Sequence, residues 1–137
     1  MFQIQSGDAE VELAWCNIFW RNESITRLLA ELHQKSYRLI LASNTNELHY
    51  RWFKKEYAGI LTNFDVEILS YQLGYRKPDK RFYQNCLEQA KCPASSCIFI
   101  DDVPANVAAA NVLGIYGIQY IPADDIIDRL REAGVRI

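Results

Sequence analysis

Three polar clusters in this chain hold residue types that chemistry uses, and each lies just beyond a short apolar run. Ser43-Asn44-Thr45-Asn46 follows Leu39-Ile40-Leu41-Ala42 directly. Arg76-Lys77-Pro78-Asp79 comes after Val66-Glu67-Ile68-Leu69, and Asp101-Asp102 ends Cys97-Ile98-Phe99-Ile100. A hydroxyl and the amides of a following helical turn suit an anion such as phosphate, while the same Ser, Asn and Thr are also preferred helix caps. Lys77 brings a compact positive charge able to neutralise phosphate or a reacting carboxylate; beside Arg76 it also fits a solvated basic loop. Pro78 disfavours helix at Lys77 and holds that loop extended. Asp101 and Asp102 repel each other and resist burial. A magnesium ion between them and a phosphate would resolve that conflict; alternatively Asp102 caps a helix starting at Pro104.

The elements needed to position these clusters can be read from periodicity. Asn22 is placed to cap a helix carrying Ile25, Leu28, Leu29 and Leu32 at helical spacing. Leu48, Trp52, Phe53 and Tyr57 mark a second helix, and Phe82, Tyr83, Cys86, Leu87 and Ala90 a third. Pro104 opens a fourth helix that Gly114 closes, and Ile126, Ile127 and Leu130 belong to a last one. The apolar runs at 39–42, 66–69, 97–100 and 116–120 read as short buried strands, with a polar loop around Gly74. Strands alternating with helices give an α/β fold, a mostly parallel sheet covered on both faces. In such a sheet ligands bind beyond the carboxyl ends of the strands, where the three clusters fall.

Composition narrows the function classes. With 137 residues, 50% hydrophobic and 23% charged, the chain reads as one ordinary globular domain. A net charge of -2 gives no electrostatic basis for a nucleic-acid or anionic-membrane partner. No apolar run approaches membrane-spanning length and no secretory signal opens the chain, so a cytoplasmic location is expected. Cys16, Cys86, Cys92 and Cys97 form no C-x-x-C pair. With only His33 and His49 beside them, buried free thiols are expected rather than a zinc site or disulfide framework.

Taken in order, Leu-Ala-Ser43-Asn44-Thr-Asn, Gly74-Tyr-Arg-Lys77-Pro78-Asp79 and Phe-Ile-Asp101-Asp102-x-Pro-x-Asn106-Val resemble motifs two, three and four of the haloacid-dehalogenase-like hydrolases. The likeness is to the phosphatase and dehalogenase branch and runs from Asn22 to Tyr120. It implies a three-layer, Rossmann-like parallel sheet. It also implies that Ser43 and the Asn44 amide bind the phosphoryl or carboxylate group of a small substrate. Lys77 would hold the nucleophile and stabilise developing charge. Asp101 would bind magnesium, with Asp102 as second ligand or as orienter of Lys77.

The family's first motif, a strand ending Asp-x-Asp whose first aspartate is the nucleophile, has no counterpart here. Upstream of Ser43 the one aspartate is Asp8, in Gln5-Ser6-Gly7-Asp8-Ala9. Residues 1–21 read instead as a remnant of a cap helix, with Trp15 and Phe19 leading into a core at 22–137 that is N-terminally truncated relative to the family. The missing strand is the central one in that fold, so Phe2-Gln3-Ile4-Gln5, direct pairing of the flanking strands, or a second chain must fill its place. The expectation is a hydrolase homologue with impaired catalysis, a weak or vestigial magnesium site and a homodimeric state with residues 2–20 at the interface. The alternatives are an active hydrolase completed by another segment, or a non-enzymatic interaction module.

Overall fold

The computed structural model describes residues 22–122 and 125–137. The Phe2–Gln5 strand, the Trp15 helix, Asp8, Cys16 and the expected dimer contact all lie outside the described residues. The elements start where side chains satisfy the amides of a first helical turn. Helix α1 (Glu23–Gln34) begins at Asn22, whose side chain accepts the Ile25 amide at 3.1 Å. Strand β1 (Ile40–Ser43) leads to α2 (Glu47–Glu56), capped by Asn46 on the His49 amide at 2.9 Å. The short α3 (Ala58–Leu61) precedes β2 (Val66–Leu69). Then α4 (Ser70–Leu73) turns at Gly74, φ 76, into the loop before α5 (Lys80–Ala90), which Asp79 caps. A 3-10 turn (Ala94–Ser96) leads into β3 (Ile98–Asp101), followed by α6 (Pro104–Val112), β4 (Tyr116–Gln119) and α7 (Ile126–Glu132).

The strands are parallel, as expected, and form two pairs. Ile40 lies opposite Val66 and Ser43 opposite Leu69; Ile98 lies opposite Tyr116 and Asp101 opposite Gln119. Among the described residues no ladder joins β1 to β3. Between these strands runs a cleft of about 730 Å³, bordered by Ile40 and Ala42 of β1, Ile98 and Ile100 of β3, and Tyr83 and Cys86 of α5. Direct pairing of the flanking strands is therefore not what fills the central position. Ile100 remains 39% exposed because it looks into this cleft.

Helices cover both faces. Leu28 and Leu32 of α1 and Ile126 and Leu130 of α7 enclose Ile118, with Ile98 packed against them. On the other side Tyr83 of α5, Ala110 of α6 and Ile115 form a second core that takes in Phe99. Ile98 and Phe99 are consecutive, so the alternation of strand side chains feeds both cores. The layers are helix, sheet, helix.

Some expectations change. Of the residues that mark α2 in the sequence, Leu48 is 36% exposed, while Tyr50 is the buried residue of that helix. Tyr50 is drawn in because its hydroxyl donates to the Glu67 carboxylate and its ring lies near Tyr71. The segment before Gly74 is a helical turn rather than a loop. Cys92 is exposed and Cys86 and Cys97 are half-buried, so the thiols are free but not all buried. Asp102 does not cap α6; Val103 occupies the cap position.

Gly117 marks the tightest approach of α6 to β4. A Cβ there would sit 2.8 Å from Val107 Cγ1 and Asn111 Oδ1 and 3.0 Å from the Val107 carbonyl. Gly117→Ala should cost about 1–3 kcal/mol by overpacking. Gly59→Ala, whose Cβ meets nothing within 4 Å, should be neutral or slightly stabilising. Urea denaturation of the two variants compares them; equal midpoints would remove the steric argument.

Candidate active site

The Lys77 ammonium lies at the carboxyl ends of β1 and β3. It donates to the Ala42 carbonyl at 2.7 Å and to Asp101 Oδ2 at 2.6 Å, and Lys77 is only 8% exposed. One side chain thus spans the two strand pairs at their carboxyl ends. Its position is set from behind by Asn44, whose side-chain amide donates to the Lys77 carbonyl (3.0 Å) and accepts the Lys77 amide (2.9 Å). The Lys77–Pro78 peptide is cis. Ser70 makes a similar two-point contact, accepting the Thr45 amide and donating to the Thr45 carbonyl, both at 2.9 Å. The loop after β1 is thereby tied to both the start of α4 and the Lys77 loop.

Asp101 is 9% exposed and uses both carboxylate oxygens. Besides Lys77 on Oδ2, Oδ1 accepts the Val103 amide at 2.8 Å and Asn106 Nδ2 at 3.0 Å. The Tyr83 hydroxyl in turn donates to the Asn106 carbonyl at 2.9 Å. Burial pushes the Asp101 carboxyl up, but the hydrogen bonds from Lys77, Val103 and Asn106 outweigh it and hold the group below the usual carboxylate range. Burial, and then the negative charge of Asp101, raise the Tyr83 phenol to about 12, so it stays a neutral donor.

The structure brings Lys77, Asp101 and the loop of Ser43 and Asn44 together at these strand ends. Ser43 is half-buried as the last residue of β1. Asp102 is exposed, with its carbonyl facing Gln119 Nε2 at 3.5 Å. The amides expected to face an anion are partly used: His49's amide bonds Asn46 and Thr45's bonds Ser70. The Asn44 side chain fixes the Lys77 backbone, a role separate from the substrate contact expected of the Asn44 amide. Asn106, quoted in the last motif without a role, and Ser70, which the sequence did not single out, are the further residues that hold the site. Asn106 lies in the first turn of a helix that springs from Asp101, and that placement was the available signal.

Magnesium favours six oxygen ligands in a near-octahedral shell. Both oxygens of Asp101 are taken by Lys77 and the α6 donors, and no group of three or more metal-ligating side chains occurs among the described residues. These residues alone do not make a magnesium site.

The Asp101 pairing has a pH signature. A depressed carboxyl stabilises the fold above its unfolded pKa of about 3.9, and the contribution is lost as pH falls through the lower folded value. Asp101→Asn should therefore be clearly less stable than the parent at pH 6, with the gap narrowing below pH of about 3. Urea titrations at both pH values measure it, and a gap independent of pH would refute the role of the ion pair.

Comparison with known proteins bears on the fold and the family. Residues 8–114 match the family model "haloacid dehalogenase-like hydrolase". The chain is 32% identical over 102 residues to the sesquiterpene phosphatase astK of Aspergillus oryzae, covering 69% of this chain and 47% of that one. It is 31% identical over 112 residues to the D-ribitol-5-phosphate phosphatase of Bacteroides thetaiotaomicron, covering 77% and 53%. The chain thus spans about half the length of these curated relatives. Among solved structures, the HAD family enzyme bt-2542 of Bacteroides thetaiotaomicron, in complex with magnesium and inorganic phosphate, superposes with a TM-score of 0.81 at 26% identity. That match covers 93% of this chain and 68% of the other. With its motifs on successive strand ends and its helices on both faces of parallel strands, this chain belongs to the haloacid dehalogenase-like hydrolase family.

Proposed function

We propose that residues 22–137 form the phosphate-binding and charge-neutralising part of a hydrolase acting on phosphorylated small molecules. The carrying observation is the buried Lys77 ammonium held between Ala42 and Asp101 at the carboxyl ends of β1 and β3. An ammonium has three donors, and with two used on the protein one N–H is left for an anion entering beside the Ser43 hydroxyl and the Asn44 amide. Charge on a phosphoryl group in transfer spreads over its oxygens, so fixed donors placed in advance supply most of the catalysis. The names of the two curated relatives, both phosphatases, support this substrate class.

The nucleophile is a separate matter. Of the carboxylates at these strand ends, Asp101 is committed to Lys77 and Asp102 faces solvent. Covalent phosphoryl transfer needs a carboxylate free to attack. In this reading it would be supplied by an aspartate ending a strand laid between β1 and β3, and residues 22–137 without such a strand bind phosphate but turn over poorly. Magnesium binding is likewise weak and depends on Asp101, for want of further carboxylates.

The 137-residue chain, assayed with p-nitrophenyl phosphate and magnesium, should hydrolyse it at close to the buffer rate. It should nonetheless bind inorganic phosphate in calorimetry, with affinity reduced at least about tenfold in Lys77→Ala, the loss of one charge-assisted hydrogen bond. Circular dichroism of the variant controls for folding. Brisk turnover that Lys77→Ala abolishes would overturn the impaired reading; phosphate binding indifferent to Lys77 would overturn the site itself. A separate magnesium titration should give no affinity tighter than millimolar, weakened further by Asp101→Asn; micromolar affinity would contradict the ligand count.

A further inference from the structure

Three cysteines gather on the wall of the cleft. Cys86, Cys92 and Cys97 all line it, and the proposed hydrolase chemistry uses none of them. Two of them are close: Cys92 Sγ lies 3.5 Å from Cys97 Sγ. They bracket the 3-10 turn Ala94–Ser96, which is preceded by Pro93. The turn is held by the Ser96 amide on the Pro93 carbonyl (2.9 Å) and the Cys97 amide on the Ala94 carbonyl (3.0 Å). Cys97 Sγ also points to the Pro93 carbonyl at 3.6 Å. The two sulfurs are therefore brought together by a hydrogen-bonded turn rather than by chance rotamers of a loose loop.

We propose that Cys92 and Cys97 form a dithiol modification site that small-molecule disulfides oxidise to an intramolecular disulfide across this turn. The exposed Cys92 is the point of entry. Its thiolate attacks one sulfur of the oxidant, forms a mixed disulfide and releases one small thiol. Cys97 Sγ then attacks the Cys92 sulfur, closing the protein disulfide and releasing the second thiol; each protein thiol has given up its proton, and the oxidant's S–S bond has taken the two electrons. Bonded sulfurs lie about 2.05 Å apart, so the pair must close from 3.5 Å, a change within reach of side-chain rotation. Burial and the neighbouring Cys92 raise the Cys97 thiol to about 11, which lowers its thiolate fraction, so the second, intramolecular step relies on the proximity of the two sulfurs.

The consequence is local and structural. Cys97 immediately precedes β3, and its carbonyl accepts the Tyr116 amide at 3.0 Å, next to the first rung of the β3–β4 pair. A Cys92–Cys97 bond would tie the end of α5 to the start of β3 at the far rim of the cleft, while Asp101 at the other end of β3 keeps its partners.

The full chain, reduced and then incubated with oxidised glutathione, should yield a single Cys92–Cys97 crosslinked peptide on mass spectrometry without reductant. Dithiothreitol should reverse it. Cys97→Ser should stop at a glutathione adduct on Cys92, and Cys92→Ser should give no crosslink. Persistent glutathione adducts on unmutated Cys92 with no crosslink, a crosslink through Cys86, or an unmodified pair would each overturn the proposal. The parent chain alone decides the matter if either variant fails to fold.

Discussion

A buried ammonium must have partners, and in this protein that requirement organises the centre of the molecule. Lys77 is nearly enclosed, and its charge is met by one carbonyl from β1 and one carboxylate from β3. Removing one member of such a pair leaves an uncompensated charge at a cost of about 3–5 kcal/mol. Everything that sets the distance between the two strand pairs therefore bears on whether Lys77 can be buried at all. The helices spanning the pairs, α5 on one side and α1 with α7 on the other, hold that distance.

The polar groups around Lys77 form a connected set. Asn44 grips the Lys77 peptide, Ser70 grips Thr45, Asn106 and the Val103 amide fill Asp101, and Tyr83 reaches Asn106 from the core. A buried polar network of this kind is stabilising only when its members are satisfied. Tyr83 is also fully buried among Ala110 and Phe99, so hydrophobic packing and the charge network share a residue. Under the proposed function, donors fixed in this way would need no reorganisation to stabilise developing charge.

The cleft between β1 and β3 is the complement of that arrangement. Ladders saturate the outer sides of the strands, while their facing edges border an apolar channel into which Ile100 looks. Ala42, whose carbonyl holds Lys77, borders the channel, and the dithiol turn lies on its wall. Sheet edge and cysteine pair are thus features of one groove.

Much of this was legible from residue order. Capping residues Asn22 and Asn46 announce their helices because an amide in a first turn needs a local acceptor. Short apolar runs announce strands, and polar clusters at their ends mark the site, because a parallel sheet buries everything except its ends. The family motifs then follow from three such clusters in order. What the tertiary structure alone decided involves partners far apart along the chain. Lys77 meets Asp101 across 24 positions and Asn44 across 33, and no local pattern encodes which acceptor a lysine will find. The burial of Tyr50 in α2 turned on Glu67, an acceptor on a different element. The proximity of Cys92 to Cys97 depended on a 3-10 turn that spacing did not announce. Periodicity records which face of an element is apolar; only packing fixes what that face, or the polar group beside it, will touch.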